Sequence, residues 1–387
     1  MKRSQRSWHL RLNHFNIIRT THMDFEQYLT RQRTAIQKNK YSKIKINELF
    51  VFARQFHTLL KAGIPLFRSI EIIISQTQNK HLKYVCLIIK SELLEGSSLS
   101  DAMKLFPHIF PNFFISLISV GETRGNIDES FNRMATYLDK KRELQNKIVN
   151  ALIYPVILIA TGLVVITLLI SFVLPKFVSI FIQNETPLPF ITQITLGISA
   201  FITSHYIIIL ACIMASVAGI GINYNTPKGR LQFDQIIIKL PVIGPIVYNI
   251  AIIRFARTLG ILYGSGIALI TSIEMARDIM GNLYLGGFIN QAIKSVKEGK
   301  GVAGTLNDSG QFPPILVEMI GTGEETGTLD TLAVEAADFL DNETEYIIRR
   351  QIAYIEPIAL IFIGGLIVII AASLLLPIFR LASSIHH

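Results

Sequence analysis

Little in this 387-residue chain points to chemistry at a site. Its two cysteines, Cys86 and Cys212, are too few for a disulfide framework and read as small apolar residues in a reducing compartment. They and the nine histidines form no Cys/His ligand pattern, which argues against a metal. The glycine-rich stretch from Gly321 to Gly327 lacks the Lys-Ser/Thr pair of a phosphate loop, and its two glutamates would repel phosphate. No nucleophile-and-base constellation is visible either, so the chain reads as non-enzymatic and without cofactors. No apolar run of useful length falls in the first 45 residues, so no signal peptide is read there.

Charge is missing over three long stretches. Val156–Leu174, Gly197–Ile222 and Ile358–Leu376 contain no Asp, Glu, Lys or Arg, within a chain that is 50% hydrophobic and has a positive mean hydropathy. The outer two run for roughly 19 residues, which at about 1.5 Å per residue spans about 28 Å, the thickness of a bilayer's hydrocarbon layer. Prolines bracket both, Pro155 and Pro175 around one and Pro357 and Pro377 around the other; Pro155 and Pro357 mark where the chain goes into the membrane. Polar residues dilute the first half of the middle stretch, so its core is placed near Tyr206–Ile222.

Basic residues set the orientation, because basic loops stay in the cytoplasm. Of 37 Lys and Arg, the loop after the first span holds only Lys176 and the C-terminal tail only Arg380. Both large segments are therefore expected in the cytoplasm of a bacterial cell with the spans in its inner membrane. The net charge of +9 is accounted for by this topology and by the anionic inner leaflet, so no nucleic-acid partner is read from it.

An internal repeat organises the chain. Shifted by about 203 residues, Phe52-Ala53-Arg54 falls on Phe255-Ala256-Arg257 and Glu95-Gly96 on Glu298-Gly299. At about 202 the match continues, with Gly121-Glu122 on Gly323-Glu324, Gly125 on Gly327, Pro155 on Pro357 and Leu174-Pro175 on Leu376-Pro377. One ancestral unit, a bundle of short helices continuous with its own span, therefore occurs twice, and the middle span returns the chain to the same side. The fold class is an all-α membrane protein with two repeated cytoplasmic helical-bundle modules and three transmembrane helices. The expected boundaries are a basic, partly disordered arm at 1–45, the first module at 46–150, the first span at 151–175 and a short periplasmic loop at 176–198. The second span follows at 199–222, the second module at 223–355, the third span at 356–377 and a short periplasmic tail at 378–387.

Two features stand out as candidate sites. The Gly-Glu-x-x-Gly turns, Gly121, Glu122 and Gly125 in one copy and Gly323, Glu324 and Gly327 in the other, allow two readings. Each is a tight turn whose glycines supply positive φ and whose glutamate meets the next helix's positive end, or each holds a carboxylate as a partner-docking or cation-binding point. The second feature is charge on the helices leading to the outer spans, nearly balanced from Asp128 to Lys147 but strongly acidic from Asp330 to Arg349. Glu335, Asp338, Asp341 and Glu345 are thus a candidate interaction face, against the alternative of drift on a solvated surface.

Several of these residues resemble one known family. Phe52-Ala53-Arg54-Gln55 leading to Leu60-Lys61-Ala62-Gly63-Ile64-Pro65-Leu66, the run Lys239-Leu240-Pro241-Val242-Ile243-Gly244-Pro245, the two Gly-Glu turns and Tyr154-Pro155 are similar to the type II secretion system F family, which includes PilC-like platform proteins. Arg124 stands where the family pattern has Ser or Thr, and the arm from Met1 to Tyr41 does not resemble the family's small N-terminal module. The resemblance implies a non-enzymatic, homo-oligomeric inner-membrane platform in type IV pilus biogenesis or type II protein secretion. Its implied partners are a cytoplasmic assembly ATPase, pilin or pseudopilin subunits and other inner-membrane assembly proteins. The alternatives are a small oligomeric membrane transporter or channel, whose spans should carry ionisable residues, and a membrane-bound enzyme.

Overall fold

The computed structural model describes residues 44–173, 176 and 190–384. Most of the expected basic arm, and most of the expected loop from Lys176 to Ile198, lie outside the described residues. Among the described residues there are fourteen α-helices and no strand. The first copy of the repeat gives α1 (Ile46–Lys61), α2 (Leu66–Gln76), α3 (Lys80–Leu94), α4 (Leu99–Lys104), α5 (Asn112–Arg124) and α6 (Ile127–Leu168), the last followed by a π-helical turn, Leu169–Val173. Two helices follow, α7 (Phe190–Tyr224) and α8 (Pro227–Lys239). The second copy gives α9 (Gly244–Gly264), α10 (Leu269–Met280), α11 (Leu283–Lys297), α12 (Val302–Ser309), α13 (Pro314–Thr326) and α14 (Leu329–Ser384). Six helices of one copy thus have counterparts in the same order in the other.

Local sequence sets these limits. Asn79 caps α3 by accepting the backbone N–H groups of His81 and Leu82, and Asn282 accepts that of Leu285 at the matching start of α11. Ser98 caps α4 by accepting the backbone N–H of Asp101. Prolines open α5 and α13, and Gly125 and Gly327, both at φ +74°, close them.

The chain divides into two compact units, one of residues as far as Arg142 with Thr258–Met275, the other of Glu143–Arg257 with Ala276–His387. An aromatic cluster centres the first. The rings of Phe56 and Phe131 stack at 4.5 Å, and Phe52 meets Phe56 edge-on at 4.9 Å, all three fully or nearly fully buried. In the second unit the core is made from Phe255, Leu316, Ile320, Ala333, Ala336 and Leu340.

Long apolar helices complete the fold. Ile127–Val173 and Leu329–Ser373 are long and apolar enough to cross a membrane, and only 6% and 11% of their most apolar windows are buried against protein. Gly244–Gly264 is also long and apolar enough, but 67% of its window is buried and it carries Arg254 and Arg257, so α9 is a core helix. The stretch expected as the middle span lies in α7, 35 residues without Asp, Glu, Lys or Arg. The helix begins at Phe190, nine residues before the expected limit, because Thr192, Gln193 and Thr195 fit a helix as well as a loop.

The prolines do not interrupt the outer helices. Pro155 lies inside α6, and both Pro357 and Pro377 lie inside α14, which runs on to Ser384 through most of the expected tail. Each proline forgoes one backbone hydrogen bond yet leaves the helix continuous. Pro175 lies outside the described residues.

Candidate functional site

The two Gly-Glu turns are the same device built twice. Glu122 is on the last turn of α5, and its carboxylate accepts the backbone N–H groups of Leu99 and Ser100 at 2.5 and 3.1 Å. Glu324, on the last turn of α13, accepts those of Val302 and Ala303 at 2.6 and 2.9 Å. Each glutamate therefore satisfies two of the free N–H groups that start a short helix, α4 or α12, and places a negative charge at that helix's positive end. The helix concerned is the one preceding the turn, not the following one that the sequence reading expected.

The glycines divide their work. Gly125 and Gly327 take the left-handed conformation at φ +74°. Gly121 and Gly323 are helical, and they are glycine for want of room: a Cβ on Gly323 would lie 2.7 Å from the Cα of Leu329, and one on Gly121 would run into the Ser130 side chain and lie 3.2 Å from the Cα of Ile127. The helix carrying the glutamate thus sits directly on the start of the long helix that follows.

Arg124, absent from the second turn, has its own partner. Within the first unit its Nη1 donates to the Ser265 carbonyl at 2.8 Å, and its guanidinium fills the space in front of Gly266. Thr326 at the matching position donates instead to the Thr322 carbonyl one turn back, at 2.7 Å.

Three of the four acids of the candidate face on α14 are engaged within the chain. Asp338 and Asp341 turn onto Arg257, whose side chain is only 7% exposed, with Nη2 at 2.7 and 2.6 Å from their carboxylates. Glu345 bonds Lys147 and Arg349, both at 2.6 Å; the Lys147 ammonium first and the Arg349 guanidinium second hold its carboxyl below the ordinary value. Glu335 remains exposed. In the first copy Arg54 is exposed and lies 3.4 Å from Asn132, while Asp139 pairs with Arg142 at 2.6 Å. In the sequence Arg257 stands out only through the repeat, as the counterpart of Arg54. The six acids opposed by one arginine between Asp330 and Arg349 are the signal in the sequence that a cation elsewhere meets them.

Where the outer helices turn apolar they pair at matching levels. The Tyr154 hydroxyl donates to Glu356 at 2.9 Å, one residue before Pro155 and Pro357 respectively. Above this, Gly162 packs against the Ile363 side chain, and Ile159, Leu163, Ile355, Ala359 and Phe362 help line an apolar cleft of about 320 Å³. Among the described residues no cluster of His, Cys, Asp or Glu could hold a metal ion.

The repeated bundle-and-span is what a family profile recognises. The profile of the type II secretion system (T2SS), protein F, matches residues 52–175 and again 255–377. This chain belongs to that family. The family's two matched segments begin within α1 and α9, and each takes in the Gly-Glu turn and the long helix that leads from it. Among its relatives, the type IV pilus assembly protein PilC of Myxococcus xanthus is 34% identical over 346 residues, 89% of this chain and 83% of its own. A type II secretion system protein F of Aeromonas hydrophila is 30% identical over 88% of both chains. The PilC protein of Thermus thermophilus is also 30% identical, over 88% of this chain and 84% of its own.

Proposed function

We propose that this family member is a non-enzymatic inner-membrane platform that couples a cytoplasmic assembly ATPase to the assembly of pilin-like subunits, in type IV pilus biogenesis or type II secretion. The observation that carries the reading is the continuity of bundle and span. Helix α14 covers 56 residues without a break, about 84 Å at 1.5 Å per residue, and α6 repeats the arrangement. A machine of this kind needs displacement passed along a rigid element, not a reaction site. The names of the relatives, which divide between pilus assembly and type II secretion, support both settings.

In this reading both bundles face the cytoplasm and offer the surface that meets the ATPase and further copies of the chain. With the Glu122 and Glu324 carboxylates occupied by helix starts, the turns would serve docking by holding their exposed neighbours Thr123, Glu325 and Thr326 in place. Of the candidate acidic face, the exposed Glu335 is the residue left for a partner.

Pull-down of the assembly ATPase by the full-length protein tests the proposal. Charge reversal at Glu325 and Glu335, both exposed and outside the helix caps, is expected to weaken capture while thermal stability holds. Unchanged capture by these variants and by deletions of either module would refute the assignment. A reporter fused near residue 300 should report the cytoplasm; an external signal would remove the topology on which the proposal depends.

A further inference from the structure

Helix α8 leaves α7 through a fixed corner. Two residues, Asn225 and Thr226, separate the helices; the Thr226 hydroxyl accepts the N–H of Gly229 at 3.1 Å, and a Cβ on Gly229 would collide with the Asn223 carbonyl. The rings of Tyr224 and Phe233 then meet edge-on at 5.3 Å, and the Arg230 guanidinium lies 5.7 Å from the centre of the Tyr224 ring. The first turns of α8 are therefore held against the last residue of α7.

One side of α8 is fastened inward. Asp234 is buried, accepts the N–H of Leu283 at 2.7 Å, and receives on its own carbonyl the amide of Asn282 at 3.3 Å. The other side is apolar and uncovered. Leu231, Phe233, Ile236, Leu240, Val242 and Ile243 are each between 39% and 61% exposed, a concentration that isolated surface residues do not make. At about 100° per residue, Phe233, Ile236 and Leu240 share one side, with the exposed Lys228 and Lys239 along its border. The sole acid between Pro227 and Ile243 is the buried, bonded Asp234, so all the exposed charge on this segment is positive.

An apolar strip edged by lysines, aromatic at one end and joined by two residues to a membrane span, is built for the layer between hydrocarbon and water. There its side chains bury ~5–10 Å deep while the ammonium groups reach outward to phosphate. A protein partner would have to find this surface, whereas the bilayer crossed by α7 is already beside it. We infer that α8 and the Leu240–Ile243 turn lie in the headgroup layer of the membrane and recognise its anionic lipid surface. The inference rests on the reading above that α7 spans the membrane and delivers α8 to the anionic inner leaflet.

The test uses the full chain in lipid nanodiscs, with Trp8, its one tryptophan, replaced by phenylalanine. In that background Ile236→Trp puts an indole on the strip, Ile208→Trp puts one on α7, and Glu325→Trp puts one on a bundle surface. Lipids brominated near the top of the acyl chain are expected to quench the indole of Ile236→Trp roughly twofold and to leave that of Glu325→Trp unchanged. The added pair Lys228→Glu and Lys239→Glu should reduce that quenching in discs containing phosphatidylglycerol, and not in discs of phosphatidylcholine alone. Quenching at Ile208→Trp without quenching at Ile236→Trp overturns the inference alone; loss of both overturns the span on which it rests. Shielding of the Ile236→Trp indole from iodide only in discs that hold two copies would assign the strip to a second chain, and a charge-reversal effect equal in the two lipids would remove the anionic recognition.

Discussion

Arg124 donates to the carbonyl of Ser265, 141 positions away in sequence, and the guanidinium lies where a Cβ on Gly266 would have to be. Gly266 is at φ +86°, so it is glycine for two reasons, backbone and space. Arg124→Ala should cost about 1 kcal/mol and Gly266→Ala more, at least ~1–2 kcal/mol from backbone strain alone. The two should be non-additive, because alanine at position 266 no longer displaces a guanidinium once Arg124 is gone. A double-mutant cycle on thermal unfolding in detergent checks this; strict additivity would show that the contact has no energetic weight.

Glu122 and Glu324 act as helix caps, so alanine at either should lower stability by ~0.5–2 kcal/mol and by similar amounts in the two copies. Glutamine, which keeps an acceptor but not the charge, should recover part of the loss. A cation-binding role predicts instead that divalent metal ions raise the melting temperature of the parent protein and not of the alanine variants.

Loss of Arg257 removes the partner shared by Asp338 and Asp341; breaking a buried pair costs ~3–5 kcal/mol, and with Asp338 43% exposed the expected loss lies at or below the lower end of that range. Arg54→Ala, at the exposed matching position, should stay within ~0.5 kcal/mol of the parent. Comparing the two unfolding temperatures measures how far the copies have diverged. It also makes Glu335 the position at which to test the acidic stretch for partner binding, since reversing Asp338 or Asp341 would disturb the fold as well.

Glu345 gives the pairing of α6 with α14 a pH dependence. Its carboxyl is held below the ordinary 4.5 by Lys147 and then Arg349, so the contact is present above that value and is lost as pH falls through the lowered folded value. Lys147→Ala should therefore be less stable than the parent near neutrality and indistinguishable from it in acid below that range. A difference that persists in acid would assign the contribution of Lys147 to packing.

Cys86 is buried, and burial pushes its thiol up to about 12. In a Cys212→Ser background the folded protein should resist maleimide at neutral pH and react after denaturation. Rapid labelling of the folded form would mean that α3 opens away from the core.

Most of the helix plan is legible in the sequence because it is written twice. Glycine and proline breaks recur at matching positions, and α3 with α11, and α5 with α13, begin and end at corresponding residues. Composition alone is less discriminating: α9 is long and apolar enough to be taken for a span, and only the burial of most of its apolar window, together with Arg257, marks it as a core helix. The glutamate caps were partly legible. Their position beside a helix's positive end is readable, but the helix they reach lies 21 to 23 residues back and is brought there by packing. Packing likewise decides which acids of α14 find a partner within the chain. Aspartates three residues apart look like a solvated face until the chain folds an arginine from α9 beneath them.

The unbroken course of α14 leaves no loop between the turn at Gly327 and Ser384. A tilt imposed at one end of such a rod reappears at the other, enlarged in proportion to the distance from whatever pivot the surrounding lipid and neighbouring helices provide. Pro357 stands near the middle of this lever, where a missing backbone bond makes bending easiest.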